Sequence, residues 1–166
     1  MNQPPKRIEQ HSQPNRDRPS NNREENRQQQ PDIAKEIVDT IKGLKTPEGE
    51  DGSLKDYPIR ILVQHAQTFG PELKRQRLET NQVRKFLDAI NQLKAKLVGN
   101  DFSVIETEVV LLKPKLAYAA ARQDAVKSLS RVMSTAIDKV HSKEDFDRLV
   151  QLMESIIAYH KAEGGK

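Results

Sequence analysis

The sequence contains no cysteine and no tryptophan, and only 4% of its residues are aromatic. Without cysteine, the chain is not a disulfide-stabilised secreted domain and has neither thiolate metal ligands nor a cysteine nucleophile. The same absence is compatible with the reducing cytoplasm, where we expect the protein to reside. Glycine is also scarce, and its seven residues form no phosphate-binding loop or dinucleotide-binding motif.

Long apolar segments are missing as well. The longest apolar run, Leu116–Ala121, has six residues, whereas a transmembrane helix needs roughly 20. Residues 1–31 contain only two apolar side chains, Met1 and Ile8, and so do not resemble a signal peptide. We therefore expect no membrane among the partners of this protein.

Residues 1–31 differ in composition from the rest of the chain. They contain five of the nine prolines, eleven Asn or Gln residues, and six basic against four acidic side chains. Such a segment buries too little apolar surface to offset the entropy cost of ordering it. We interpret it as a disordered, weakly basic tail, whose deletion should leave the thermal unfolding midpoint nearly unchanged. Residues 32–166 are long enough to form one hydrophobic core.

Apolar residues after Asp32 recur at helical spacing almost throughout, beginning with Ile33, Ile37 and Ile41. No segment between turn signals alternates apolar and polar residues over the length of a strand. Residues 32–166 are therefore predicted to be all-α, a bundle of five to six helices.

Several residues are expected to mark helix ends. Asp32, Thr80 and Ser142 are suitable N-caps, and Ser142 with Asp145 resembles a capping box. The Gly70-Pro71 pair is expected to interrupt one helix, and Pro114 to kink or restart another.

We find no pattern typical of a catalytic or metal-binding site. The four histidines lie far apart in sequence, and His65 and His160 are near apolar stripes, where a packed histidine is the better interpretation. Glu106 and Glu108 are two residues apart and so point to different sides of a helix. We expect no cofactor, no metal and no enzymatic activity. A hydrolase with a dispersed site is a less favoured alternative.

The net charge of +4 conceals an uneven distribution. Residues 74–96 carry seven basic and two acidic side chains, and residues 109–131 carry five basic and one acidic. The segments 45–56 and 142–163 each have a net charge of −2. A basic middle between acidic flanks suits a nucleic-acid backbone, although basic helix faces are often simply solvated.

The basic side chains fall on shared helix faces. Lys115 and Arg122 are seven residues apart, which places them on one face two turns apart. Arg84 and Lys85 lie on the helix that follows Thr80, where Arg84 could instead pair with Asp88. Because these faces have few aromatic residues to stack on bases, we expect contacts with the nucleic-acid backbone rather than with bases.

Three segments form a pattern in their order and spacing. They are Thr80–Phe86 with Ile90-Asn91, Leu111–Ala119, and Ile157–Lys161 with Gly164-Gly165. This pattern, which extends over roughly residues 57–166, resembles the small subunit of type III-A CRISPR effector (Csm) complexes.

The resemblance implies a non-catalytic helical subunit that stacks in several copies along a ribonucleoprotein. Its partners would be guide RNA, target RNA, the other subunits of the complex and further copies of itself. It would bind the backbone of the guide–target duplex and help to monitor complementarity in antiviral defence. By position, the RNA-binding candidates are Arg84, Lys85, Lys113, Lys115 and Arg122.

Two further expectations concern the residues around these candidates. Pro114 is expected to kink its helix so that Lys113 and Lys115 both face outward. Tyr118 and Tyr159 are expected to pack with their hydroxyls at the rim rather than to stack on bases. The alternative function is a helical protein-interaction adaptor, whose basic faces would meet acidic protein partners without RNA.

Overall fold

The computed structural model describes residues 31–166, which form seven α-helices joined by turns and by one longer connection, residues 43–58. The helices are α1 (Ile33–Lys42), α2 (Ile59–Arg75), α3 (Arg84–Leu97), α4 (Glu106–Val110), α5 (Leu112–Arg122), α6 (Lys127–Ile137) and α7 (Lys143–Ala162). Only Leu111 separates α4 from α5, so that these two form one interrupted helix. The described range contains no β-strand beyond a single bridge between Lys45 and Asp51. The prediction of an all-α bundle of five to six helices is confirmed.

The tail predicted for residues 1–31 lies, apart from Pro31, outside the described residues. Between residues 31 and 166, no helix is both long and apolar enough to cross a bilayer.

The predicted apolar stripes become the buried faces of the helices, and together they form one core. The most extensive helix pair is α2 with α7, while α6 packs against both α1 and α5. A 3₁₀ turn, Leu54–Asp56, packs on α7. Helix α3 contacts α5, which brings the two basic segments of the sequence side by side.

The glycine and proline in the middle of α2 do not interrupt it, contrary to the prediction. The helix continues through Gly70 and Pro71 to Arg75. A Cβ atom on Gly70 would lie 2.6 Å from the backbone nitrogen of His160 and 2.8 Å from the carbonyl carbon of Tyr159. Gly70 therefore allows the backbones of α2 and α7 to approach closely, and this tertiary contact decides its role.

The N-caps agree with the sequence at Asp32 and Ser142, whose side chains accept hydrogen bonds from the first turns of α1 and α7. Thr80 does not cap α3, since it starts a 3₁₀ turn and α3 begins only at Arg84. Glu79 precedes that turn and caps it instead. The buried Thr80 hydroxyl has no hydrogen-bond partner among the described residues.

The two histidines near apolar stripes are packed, as predicted. His160 is fully buried, and its Nε2 lies 2.7 Å from the carbonyl oxygen of Leu78. Because a carbonyl oxygen only accepts, Nε2 carries the proton. The Nδ1 atom of His65 lies 2.6 Å from the hydroxyl of Tyr57. His160 therefore links α7 to the segment that contains Leu78, and His65 links α2 to Tyr57.

Candidate nucleic-acid interface

A surface cleft of about 740 Å³ lies between the N-terminal end of α3, with the turn before it, and the length of α5. Its polar lining consists of three cationic and three amide side chains: Lys85, Lys115, Arg122, Asn81, Gln82 and Gln123. Among residues 31–166, no Asp or Glu belongs to the lining. We call this feature the α3–α5 cleft.

Helical periodicity explains how α5 contributes to the cleft. Lys115, Tyr118 and Arg122 are three and four residues apart and so lie on one face of α5. Leu112 and Leu116, on another face of the same helix, are buried in the core. The basic face is therefore held in place by the packing of the apolar face.

The floor of the cleft is apolar. Val83 and Phe86 line it from the start of α3, and both side chains are almost completely buried. Pro114 and Ala119 line it from α5. Pro114 lies in the first turn of α5, where its missing N–H removes no hydrogen bond within the helix.

The cations of the cleft have no acidic partner. None of Lys85, Lys115 and Arg122 has a carboxylate oxygen within 4 Å in the described part of the chain, where other Lys and Arg side chains form eight ion pairs. Lys94, for example, lies 3.1 Å from Glu154. Within residues 31–166, the positive charge of the cleft is therefore not compensated by a neighbouring carboxylate.

Tyr118 is exposed between these cations. Its relative exposure is 61%, and its hydroxyl accepts a hydrogen bond of 2.8 Å from Nη1 of Arg122. This hydrogen bond lowers the pKa of the phenol, and the charges of Arg122 and Lys85 act in the same direction. The predicted packing of Tyr118 with its hydroxyl at a rim is wrong, because the residue lies on the basic face and not on the apolar stripe. The helical spacing of Lys115, Tyr118 and Arg122 in the sequence already places Tyr118 on this basic face.

The structure separates the five predicted RNA-binding residues. It brings together Lys85, Lys115 and Arg122 in the α3–α5 cleft. Arg84 is exposed at the start of α3, outside the lining, and forms no ion pair with Asp88 in the described range.

Lys113 points away from the cleft. Its Nζ lies 2.5 Å from Oδ1 of Asp138, and its side chain is 38% exposed. Lys115 is exposed and Lys113 is partly exposed, as expected, but they lie on different sides of α5, because residues two apart on a helix point to nearly opposite sides.

The sequence did not indicate the three amides of the cleft. Asn81 and Gln82 belong to the turn before α3, and Gln123 follows the last residue of α5. The amide nitrogen of Gln82 lies 3.5 Å from Oε1 of Gln123. Because these residues are 41 positions apart, only the packing of α3 against α5 places them in one site.

Comparison with known proteins relates this region to a family. The family model described as Csm2 Type III-A matches residues 56–166. The chain is also similar to the CRISPR system Cms protein Csm2 of Streptococcus thermophilus, with 31% identity over 91 residues, which are 54% of this chain and 75% of that protein. No solved structure matches with statistical significance. The range matched by the family model includes both sides of the α3–α5 cleft.

Proposed function

Because this chain belongs to the Csm2 family, and is thus a small subunit of a type III-A CRISPR complex, we propose that it binds the backbone of guide RNA paired with target RNA through the α3–α5 cleft. In this role it helps the complex to monitor complementarity in antiviral defence and performs no catalysis itself. The observation that carries the proposal is the convergence of three cations on a cleft to which no described residue contributes a carboxylate.

The charge of the cleft is better suited to binding phosphate than to binding a protein surface. A cation that is already paired with a carboxylate gives up that pair when it binds a phosphate. The three cleft cations have no such pair to lose in the described part of the chain. Their binding to RNA releases counterions and is therefore favourable at low salt.

The five candidate residues take different positions in this proposal. Lys85, Lys115 and Arg122 contact phosphates directly from the two sides of the cleft. Arg84, exposed next to Lys85, extends the same surface along the RNA. Lys113 remains a candidate, but its ion pair with Asp138 competes with any RNA contact.

We also propose that copies of the protein stack in a row along the RNA. The acidic segments 45–56 and 142–163 flank the basic middle of the chain, and such a division favours head-to-tail contacts between identical copies. An open row of this kind would present one cleft per copy to the RNA.

The salt dependence of RNA affinity tests the phosphate contacts. The variant Lys85→Gln, Lys115→Gln, Arg122→Gln is compared with wild type by fluorescence anisotropy, using a guide–target RNA duplex at several salt concentrations. If all three residues contact phosphates, we expect the variant to bind more weakly, with the slope of log K against log salt smaller by roughly 2 to 3.

The matched control removes the same charge elsewhere. Lys35→Gln, Lys45→Gln, Lys94→Gln removes three exposed lysines that each pair with a carboxylate. This variant should bind RNA nearly as wild type does. An equal loss in both variants would mean that only net charge matters, and the cleft proposal would then be abandoned.

Recovery from the native host distinguishes the alternative function. A CRISPR subunit that binds RNA brings down short guide RNA together with other subunits of the complex. If the purified protein carries acidic proteins but no guide RNA, the adaptor function replaces the proposal.

A further inference from the structure

We infer that the α3–α5 cleft accepts an unpaired nucleobase, which stacks on the exposed ring of Tyr118. The inference rests on the proposed function and specifies which part of the RNA the cleft recognises besides phosphate. It assigns to the site a ligand of defined chemistry, a planar heteroaromatic ring attached to a phosphate backbone.

The first observation is the ring itself. Tyr118 is the one aromatic side chain that is exposed within residues 31–166. An exposed ring normally rotates between rotamers, but here the hydrogen bond from Arg122 holds the hydroxyl. The guanidinium carbon lies 5.6 Å from the ring centroid. The ring is therefore oriented before any ligand arrives, which lowers the entropy cost of binding.

The second observation is the composition of the surrounding cleft. Pro114, which is exposed, and Ala119, which is partly exposed, offer an apolar surface for a planar ring beside Tyr118. The volume of about 740 Å³ falls within the roughly 300–1,000 Å³ typical of small-ligand sites. A site that bound only the backbone would not need an exposed aromatic ring.

The third observation is the set of amides. An amide side chain donates and accepts hydrogen bonds, and so it can pair with the polar edge of any base. The Asn81 amide makes no hydrogen bond within the described residues, while Gln82 accepts one from the backbone of Glu79 at 3.0 Å. Stacking is also tolerant of sequence, since every base has a π-face. We therefore expect the cleft to accept all four bases.

The base must be unpaired to reach the ring. Within an RNA duplex both faces of a base are stacked on its neighbours, and the major groove is too narrow for side chains. A base that leaves the duplex, or one in a single-stranded segment, exposes a face to Tyr118. Lys85, Lys115 and Arg122 then lie beside the flanking phosphates.

The test compares RNA with and without bases. Wild type, Tyr118→Leu and Tyr118→Phe are titrated with a short single-stranded RNA and with an oligomer of the same length whose central nucleotides are abasic. Both oligomers carry the same phosphates. Because Tyr118 is exposed, all three proteins should have the same thermal unfolding midpoint, which is measured first by circular dichroism.

We expect Tyr118→Leu to lose roughly 5- to 150-fold in affinity for the RNA with bases, the range that corresponds to one aromatic–base stack. Tyr118→Phe retains the ring and should retain most of the affinity. Neither substitution should change the affinity for the abasic oligomer by more than about twofold. With 2-aminopurine at the central position, wild type and Tyr118→Phe should quench its fluorescence and Tyr118→Leu should not.

Three results would overturn the inference while leaving phosphate binding intact. They are wild-type affinity of Tyr118→Leu for the RNA with bases, an equal loss on both oligomers, and a loss in Tyr118→Phe as large as in Tyr118→Leu. If wild type binds neither oligomer nor the guide–target duplex at low salt, the proposed function itself fails, and the inference falls with it.

Discussion

The N-terminal end of α7 and the α3–α5 cleft both contain several polar side chains, but the two regions differ in the partners that these side chains have. At α7, the carboxylate of Asp145 is 1% exposed and accepts hydrogen bonds from the hydroxyl of Ser53 and the backbone N–H groups of Lys55 and His141. In the cleft, three cations have no carboxylate partner in the described range. The difference indicates that the polar groups at α7 stabilise the fold, and it is the basis of the proposal that those of the cleft bind RNA.

The largest expected effect on stability comes from Asp145. Asp145→Ala leaves three partly buried donors without an acceptor, at a cost of about 1–3 kcal/mol each. We expect the free energy of unfolding, measured by urea denaturation, to fall by about 3 kcal/mol or more. The folded variant should bind RNA as wild type does. A loss of less than about 1 kcal/mol would show that the turn before α2 does not depend on this carboxylate.

The same carboxylate makes stability depend on pH. Burial raises the pKa of Asp145, but hydrogen bonds from Ser53, Lys55, His141 and Ser142 together more than offset this and place the pKa below its usual value. Because the folded-state pKa is lowered, the carboxylate stabilises the fold above about pH 4, where an unfolded Asp is ionised, and this contribution disappears at lower pH. The difference in unfolding free energy between wild type and Asp145→Asn should therefore shrink below about pH 4. A constant difference down to pH 2 would contradict this assignment.

Gly70→Ala tests the close approach of α2 and α7. The added Cβ atom would meet backbone atoms of α7, which cannot rotate away, and overpacking of this kind costs about 1–3 kcal/mol. Urea denaturation should show that loss. Gly43→Ala is the control, because Gly43 ends α1 at a φ of −91° and its Cβ would lie 3.3 Å from the nearest atom, the backbone oxygen of Asp39. Equal stability of the two variants would show that the close approach of α2 and α7 does not require glycine at position 70.

The smallest effect distinguishes two lysines of α5. Lys115→Gln should lower the slope of log K against log salt for RNA binding by about 1, the effect of one lost phosphate contact. Lys113→Gln should leave the slope unchanged, because Lys113 is paired with Asp138. Both substitutions remove one charge from the same helix. A difference between their salt slopes, measured by fluorescence anisotropy, therefore reflects the position of the lysine alone. Equal slopes for the two variants would erase the distinction between paired and unpaired cations.

Much of the fold is visible in the sequence because it is local. The apolar stripes identify the buried faces of the helices, and Asp32 and Ser142 identify two helix starts. The predictions were wrong where a contact with a distant segment determines the local structure. Gly70 was predicted to break its helix, but it lies where α7 packs closely on α2. Thr80 was predicted to cap α3, but it begins a 3₁₀ turn that follows Glu79.

The candidate site divides in the same way. The spacing of Lys115 and Arg122 already predicts one basic helix face, and the family resemblance predicts the segment that contains Lys85. The sequence does not reveal that α3 packs against α5, and so it did not place Gln82 and Gln123 in one cleft. It also suggested a packed Tyr118, although the residue lies on the basic face.

The sequence by itself therefore determined an all-α chain of the Csm2 family with a basic middle, because helical periodicity and charge are properties of neighbouring residues. Only the tertiary structure decided which cations pair with a carboxylate of the described residues and which do not. The physical reason is that ion pairs such as Lys113 with Asp138 join residues 25 positions apart. Their formation depends on how the helices pack, and this packing places Lys85, Lys115 and Arg122 in a cleft that no carboxylate of residues 31–166 lines.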